Sequence, residues 1–346
     1  MRHKFLISVV FIFHAAICAA VDLPQVKFLD ENETKKEIVN DSLAPYFNQL
    51  QPMEMSAKTG SQITGATLEE MQTECRKRYQ NAARSFTYDE QEVIKWMISR
   101  IYPVMKKEYP KFADTPWSFL KVADNIEGGL PHTRGHHIIL SESFCRRLPA
   151  AVNNMNFLEL LIHEQFHVFQ RLNQGFFNSL YLKIWGFEKA EKINGCDWLI
   201  SHHLANPDAL DCTWIFPVKN GKDISYILPL IVFSDGESLK KMPRDFRMIG
   251  ISLEKSADGF SVKPQPEQAG KPLSKDLMSI KEYTDIYQNL TTDIYHPEEA
   301  SADIFAKMII FDYLYSTGKI SKENYEKTDP IISKLRSWFK DHTKKE

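Results

Sequence analysis

The stretch Leu160-Leu161-Ile162-His163-Glu164-Gln165-Phe166-His167-Val168-Phe169 contains the pattern His-Glu-x-x-His inside a run with the apolar period of a helix, for which Asn153 or Asn154 is a suitable N-cap. Residues four apart on a helix are offset by only about 40° and rise about 6 Å. His163 and His167 therefore point the same way and can share one metal ion. Glu164 lies about 100° around the helix from His163, where its carboxylate can hold a water molecule. The pattern predicts a catalytic zinc site with Glu164 as general base.

The alternative interpretation of this stretch is an amphipathic helix whose histidines are ordinary surface or core residues. A polar His-Glu-His cluster among phenylalanine and leucine side chains disfavours that interpretation, because buried polar groups need partners. We therefore expect one Zn²⁺ per chain at His163 and His167.

A catalytic zinc site needs a third protein ligand, with water in the fourth position. The segment His296-Pro297-Glu298-Glu299-Ala300-Ser301-Ala302-Asp303 offers Glu299 as that ligand, and small neighbours there allow close helix approach. Asp303, four residues on, can accept a hydrogen bond from the far nitrogen of a ligand histidine. The alternative is that these acids only complement the dipole of a first helical turn. Other candidates for the third ligand are Glu188, His202 and His203.

The motif His163-Glu164-x-x-His167 and the later motif Glu299-x-x-x-Asp303 together resemble those of the gluzincin branch of the zinc metallopeptidases, which have the thermolysin-like arrangement. The His-Pro-Glu-Glu-Ala-Ser-Ala-Asp motif and the run Thr133-Arg134-Gly135 also resemble those of exported bacterial gluzincin-like proteins. The resemblance implies the zinc ligands His163, His167 and Glu299, the base Glu164, and Asp303 as a supporting carboxylate. One departure is that Glu299 lies much farther along the chain than the third ligand of thermolysin-like enzymes. Glu188 has the more usual spacing but has Lys192 four residues on.

Stabilising the oxyanion of a peptide-bond hydrolysis requires a hydrogen-bond donor besides the metal. Tyr295, His296, Arg134 and His136 are candidates for this role. The strand that contains Ile138 to Leu140 is a candidate sheet edge for binding an extended substrate, with Arg134 and His136 beside it. The alternative is an ordinary sheet strand.

The N-terminus has the pattern of a secretory signal peptide over residues 1–20. Basic residues precede an apolar run from Phe5 to Ala20, which ends in small residues. A retained membrane anchor is the weaker alternative because the apolar run is short for a span. We expect a secreted or periplasmic protein with no later membrane span, in which residues 21–65 form a lead-in or a pro-segment.

Removal of the signal peptide, which contains Cys18, would leave four cysteines in the mature chain. In an exported protein these four can form disulfide bonds. Three full pairings exist, and the favoured one joins Cys196 with Cys212 and Cys75 with Cys145; the alternative is four free thiols. A net charge of −2 gives no electrostatic reason to expect nucleic acid as a partner.

The periodicity of the chain predicts an α+β protein. Helices are expected over 68–84, 89–108 and 297–317, and the aromatic stretch 176–187 is expected to lead into a further helical region that ends near Asn194-Gly195. Strands are expected over 117–122 and 136–140, and a small β element within 206–267. We expect residues 66–346 to form a single zincin-like catalytic domain with N-terminal helical additions. The expected function is zinc-dependent cleavage of a peptide bond in a peptide or protein substrate. The alternatives are a non-catalytic binding protein on a zincin scaffold and a zinc amidase acting on a non-protein amide.

Overall fold

The computed structural model describes residues 24–236, 239–287, 290–327 and 329–343. The predicted signal peptide, residues 1–20, lies outside the described residues. The strands are β1 (Val26–Phe28), β2 (Ala83–Arg84), β3 (Trp117–Val122), β4 (His132–Arg134), β5 (His137–Ser141), β6 (Glu188–Lys189), β7 (Ile193–Asn194), β8 (Trp214–Asn220), β9 (Asp223–Phe233), β10 (Phe246–Ser256), β11 (Gly259–Val262) and β12 (Ser274–Asp276).

The helices are α1 (Glu31–Glu37), α2 (Pro52–Lys58), α3 (Leu68–Asn81), α4 (Tyr88–Glu108), α5 (Pro110–Ala113), α6 (Glu142–Arg147), α7 (Met155–Leu172), α8 (Gln174–Lys183), α9 (Asp197–His202), α10 (Lys281–Asp285), α11 (Pro297–Ser316), α12 (Lys322–Glu326) and α13 (Pro330–Thr343). The expected mixture of helices and sheets is confirmed. None of the helices in the described ranges is long and apolar enough to cross a membrane.

The first sheet has the strand order β1-β3-β5-β4, and the short β2 pairs with β3. Strands β1, β3 and β5 are parallel, whereas β4 is antiparallel to β5 and stands at the edge. The expectation that the strand of Ile138 to Leu140 forms a sheet edge is therefore wrong. That strand is β5, which has β3 on one side and β4 on the other.

Residues 24–65, the described part of the predicted lead-in, are built into the first sheet and its core. β1 pairs with β3, and Tyr46 and Phe47 are fully buried. Arg134 lies over the ring of Tyr46 and donates to Asp41 at 2.6 Å. The side chain of Lys58 is fully buried and donates to Glu127 at 2.8 Å. These contacts make the segment part of the same folded unit as the helices that follow.

The second sheet confirms the small β element expected within residues 206–267. Its order is β6-β8-β9-β10-β11-β7, and β12 pairs with β10. The expectation of a helical region that ends near Asn194-Gly195 is wrong: α8 ends at Lys183, and the chain then enters the short strands β6 and β7. Gly186, with φ of +72°, takes the backbone through a left-handed conformation after the helix.

Helices α7 and α11 pack against each other in the main hydrophobic core. The rings of Phe166 and Phe305 lie 4.3 Å apart between centroids, and Phe339 of α13 lies 4.3 Å from Phe305. Ala300, Ala302 and the other small side chains of α11 are fully buried, so the two helices can approach closely. This packing brings two distant parts of the chain together.

All four cysteines in the described ranges are free, which corrects the favoured disulfide pairing. Cys75 lies in the core beneath α3, whereas Cys145 lies in the main core. Cys196 and Cys212 both pack at the margin of the second sheet, where the Cys212 sulfur contacts the ring of His203 at 3.4 Å. The two predicted bridges are therefore not formed in this structure.

Candidate metal centre

Helix α7 presents His163 and His167 on one face, as their spacing predicts. The helix begins after Asn154, whose side chain accepts from the amide of Asn156, so Asn154 is the N-cap. His167 is 1% exposed, and the ring centroids of the two histidines are 4.7 Å apart. Their Nε2 atoms lie 3.0 Å apart, so both nitrogens point toward one place.

Helix α11 brings Glu299 to the same place. Pro297 stands in its first turn, where the fixed φ of proline favours the start of a helix. The Oε2 atom of Glu299 lies 3.5 Å from the Nε2 of His163 and 3.6 Å from the Nε2 of His167. These three residues form a cluster of potential metal ligands whose donor atoms all lie within 4.8 Å of one another.

The geometry of the cluster fits zinc. Zinc bonded to nitrogen and oxygen at about 2.0–2.1 Å in a tetrahedral shell separates neighbouring ligand atoms by about 3.3 Å. The three separations of 3.0, 3.5 and 3.6 Å lie on both sides of this value. Two imidazole nitrogens and one carboxylate oxygen also make the donor set of a catalytic rather than a structural zinc site. The spacing and the chemistry of these three ligand atoms therefore suit a bound metal ion.

The charges in the cluster strongly affect one another. Burial alone would raise the pKa of Glu299, but the neighbouring His167 and His163 hold it well below its usual range. Burial alone would lower the pKa of His163, but its contact with the Glu299 carboxylate raises it to about 10. His163 and Glu299 therefore form an ion pair, and a bound metal cation would have to displace the imidazole proton.

Asn206, in the segment between α9 and β8, holds the other carboxylate oxygen of Glu299. Its side-chain amide donates to the Oε1 of Glu299 at 2.5 Å and to the hydroxyl oxygen of Tyr295 at 2.5 Å. Oε2 therefore remains available to the histidines. Tyr295 lines the cavity beside the cluster, and its hydroxyl also hydrogen-bonds to Glu299.

Glu164 lies beside the ligands and is 3% exposed. The hydroxyl of Thr133 in β4 donates to its Oε2 at 3.0 Å. The backbone amide of Thr133 donates to the carboxylate of Asp208 at 2.5 Å, so Thr133 connects the two acids. Burial, and then the nearby charge of Asp208, raise the pKa of Glu164 well above its usual range. A bound cation would act in the opposite direction by favouring the charged carboxylate.

Three other predicted site residues lie away from the cluster or are occupied by other contacts. His296 caps α11: its Nδ1 accepts from the amide of Glu298, and its Nε2 donates to the carbonyl of Asp211 at 2.9 Å. Arg134 is buried against Asp41 and Tyr46, and His136 is exposed in the turn after β4. These contacts leave His296 and Arg134 with structural rather than substrate-binding roles.

Asp303 lines the cavity, but the expected hydrogen bond from a ligand histidine is replaced by another contact. Its carboxylate pairs with Lys307 at 2.7 Å, one helical turn farther along α11. The Nδ1 of His167 is buried and has no hydrogen-bond partner among the residues that the structure describes. In its place, Asn206 and Asp208 supply the polar surroundings of the ligands.

The other candidate third ligands are placed elsewhere. Glu188 is exposed in β6, at the margin of the second sheet. His202 stacks on Trp198, and the ring of His203 contacts Cys212. Glu299 is the acid that joins the two histidines in the described cluster.

A cavity of about 340 Å³ opens beside the ligand cluster. Its walls come from both sheets and from α7 and α11, so the fold as a whole shapes it. Apolar side chains form part of the wall: Leu130, Leu160, Leu204, Ile231, Met242 and Phe246. Polar side chains converge on the remainder: Lys58, Glu127, His132, Glu164, Asn206, Asp208, Tyr295 and Glu299. A concave site that combines apolar walls with converging polar groups is typical of a small-ligand site.

Sequence reasoning missed the roles of Asn206, Asp208, Thr133 and His132. The segment Asn206-Pro207-Asp208 has the composition of a turn, but no spacing rule connects it to α7. Thr133 belongs to the run Thr133-Arg134-Gly135, for which the sequence indicates no contact with Glu164. The sequence signal for these residues is a polar turn between a helix and a strand. Their contacts with α7 and α11 depend on how the second sheet folds back onto the rest of the protein, which the turn does not indicate.

Comparison of the chain with protein-family models, with curated proteins and with solved structures found no match. The functional argument therefore rests on the geometry of the site.

Proposed function

We propose that this protein is an exported zinc-dependent hydrolase that cleaves peptide bonds, with a single zincin-like catalytic domain. The observation that carries the proposal is the convergence of His163, His167 and Glu299 on one point, with Glu164 beside them in a cavity. The signal-peptide pattern of residues 1–20 supports export.

When bound, zinc would supply Lewis acidity, which acidifies water and polarises a carbonyl group. His163, His167 and Glu299 would hold it. Glu164 is placed to orient the attacking water and accept its proton, and the same carboxyl group can then donate that proton to the leaving amine. Thr133 holds the Glu164 carboxylate through its hydroxyl.

Tyr295 supports the proposal as a donor to the developing oxyanion. Its hydroxyl oxygen accepts from Asn206, which leaves its own proton for Glu299 or for a substrate carbonyl. A preorganised donor at the reacting centre is worth roughly 10²-fold or more in rate. Of the donors expected from the sequence, Tyr295 is the one that lines the cavity.

The test compares the purified wild type with Glu164→Gln. We expect one zinc per chain in both proteins by native mass spectrometry, and cleavage of a mixed peptide library by the wild type alone. Glu92→Gln is the matched control, because Glu92 is an exposed residue of α4 that pairs with Lys95. It should keep full activity.

Two results would contradict the proposal. A protein that binds no zinc has a different site chemistry. A protein that binds one zinc but shows no Glu164-dependent cleavage of any peptide is a binding protein on this scaffold, or acts on a non-protein amide.

A further inference from the structure

The outer edge of β4 is already occupied by side chains. Thr133 pairs in register with Ile138 and turns its backbone amide away from β5, toward the carboxylate of Asp208 at 2.5 Å. The carbonyl of Gly135, just after the strand, accepts from Arg171 at 2.6 Å. An extended peptide that adds to a sheet edge needs such backbone groups free. This edge is therefore covered in the way that proteins protect exposed strands.

The segment between α9 and β8 covers this edge, and several hydrogen bonds hold it in place. Arg171 also donates to the carbonyl of Pro207 at 2.8 Å. The amide of Ala205 donates to the buried carboxylate of Glu54 at 2.6 Å, and the amide of Leu204 donates to the carbonyl of Ile231 at 3.0 Å. Opening this segment to admit a substrate strand would break these contacts together, so the cover is a fixed wall of the cavity.

His132 supplies an acceptor in the same cavity. It is 3% exposed, and its Nδ1 contacts the carbonyl of Leu130 at 3.0 Å. Because a carbonyl only accepts, Nδ1 carries the proton, and Nε2 of the neutral ring is an acceptor. Nε2 has no hydrogen-bond partner among residues 24–343 as described. A buried polar atom without a partner is unfavourable unless a ligand or water supplies one.

We propose that the substrate is a short peptide held by side chains of the cavity rather than by strand addition, and that His132 Nε2 accepts a hydrogen bond from a backbone N–H of this peptide. The proposal rests on the proposed function and narrows its substrate class. The cavity of about 340 Å³ is at the small end for ligand sites, which agrees with a short substrate. His132 Nε2 would accept the hydrogen bond that a backbone carbonyl of a free strand edge accepts in strand addition.

The first experiment measures cleavage of three substrates at equal mass concentration: a random pool of peptides three to five residues long, a pool about four times longer, and denatured casein. We expect Glu164-dependent cleavage of the short pool at least about tenfold faster than that of casein. Equal rates on casein and the short pool would overturn the proposed preference for short peptides, but they would not contradict the proposed peptidase function. No Glu164-dependent cleavage of any substrate would overturn the proposed function and this inference with it.

The second experiment measures binding of the best short peptide to Glu164→Gln by calorimetry, with each backbone nitrogen methylated in turn. We expect one methylation to weaken binding about tenfold, the effect of losing one hydrogen bond to a buried acceptor. In Glu164→Gln/His132→Phe that methylation should have no further effect, whereas Glu164→Gln/His132→Gln, which keeps a carbonyl acceptor, should retain part of it.

Zinc content and melting temperature of each variant check that it is folded. If His132→Phe does not fold, His132→Leu replaces it. The methylation series on Glu164→Gln alone tests whether any backbone N–H of the peptide donates to the protein. A series in which no methylation weakens binding, or in which the same one weakens binding equally with and without His132, would overturn the role of His132.

Discussion

Asn206 donates its side-chain amide to the Oε1 of Glu299, while the Oε2 of the same carboxylate lies 3.5 Å from the Nε2 of His163. The two residues are 93 positions apart in the chain. One contact thus fixes which oxygen of Glu299, the proposed third ligand, faces the histidines. Groups that orient a ligand in this way have a measurable effect on metal affinity.

Replacing Asn206 with alanine should weaken zinc binding by about 10- to 100-fold, because Glu299 loses the donor that fixes its carboxylate. Competition with a chromophoric chelator measures the affinity. Asn194→Ala is the control, since Asn194 contacts Ser261 at the margin of the second sheet. Equal affinities for the two variants would show that Asn206 does not orient the ligand.

Replacing Thr133 with valine removes the hydroxyl that donates to Glu164 and keeps the shape of the side chain. A hydrogen bond to a charged group contributes about 1.5–3 kcal/mol, so we expect kcat to fall by about tenfold or more. Zinc content should not change, because Thr133 contacts the base and not the ligands. An unchanged kcat, with peptide cleavage otherwise dependent on Glu164, would contradict this role.

Zinc uptake should release a proton from His163. In the protein freed of metal, contact with Glu299 raises the pKa of His163 to about 10, so the ring is protonated at pH 7.5 and that proton competes with zinc. Apparent affinity should therefore rise about tenfold per pH unit below that pKa for one displaced proton. Calorimetry at pH 7.5 in two buffers of different ionisation enthalpy counts the protons. Glu299→Gln should release fewer, and equal counts for both proteins would contradict the pairing.

Glu54 should make the protein less stable as pH rises from 5 to 8. Burial, partly offset by Lys58, raises the pKa of Glu54 to about 7, above its value of about 4.3 in an unfolded chain. Between these values the folded state keeps a proton that the unfolded state has lost, so the free energy of unfolding falls as pH increases. Over this range the wild type should lose about 2 kcal/mol more than Glu54→Gln in urea unfolding.

The control for that experiment is Glu69→Gln, at an exposed position of α3. It should keep the pH dependence of the wild type. A Glu54→Gln protein with the same dependence as the wild type would show that Glu54 does not titrate in this window.

The sequence predicted the parts of the fold and site that depend on local periodicity. The spacing of His163 and His167 is a helix property, so α7 and the convergence of its two histidines follow directly from the residues. Glu299 follows from the start signal of α11 and from its small neighbours. Strands β3 and β5 were also recognised, because short runs of apolar and β-branched residues bounded by turns mark them.

The rest depends on contacts between distant segments. The sequence does not predict β4, because three residues are too few to show the alternation of a strand. Since β4 pairs with β5, the strand β5, expected at the edge, is internal to the sheet. The roles of Asn206 and Asp208 depend on the fold of the second sheet. Arg134 resembled a substrate ligand in the sequence, but the segment around Tyr46 buries it. No local pattern shows which distant segment covers a charged side chain.

The most direct test of the central claim is an anomalous difference map at the zinc absorption edge, from crystals of the full protein grown with zinc chloride. We predict one strong peak per chain, about 2.0–2.1 Å from the Nε2 atoms of His163 and His167 and from a carboxylate oxygen of Glu299. A map with no zinc at this cluster, or with zinc on the histidines and a different acid in place of Glu299, would contradict the account.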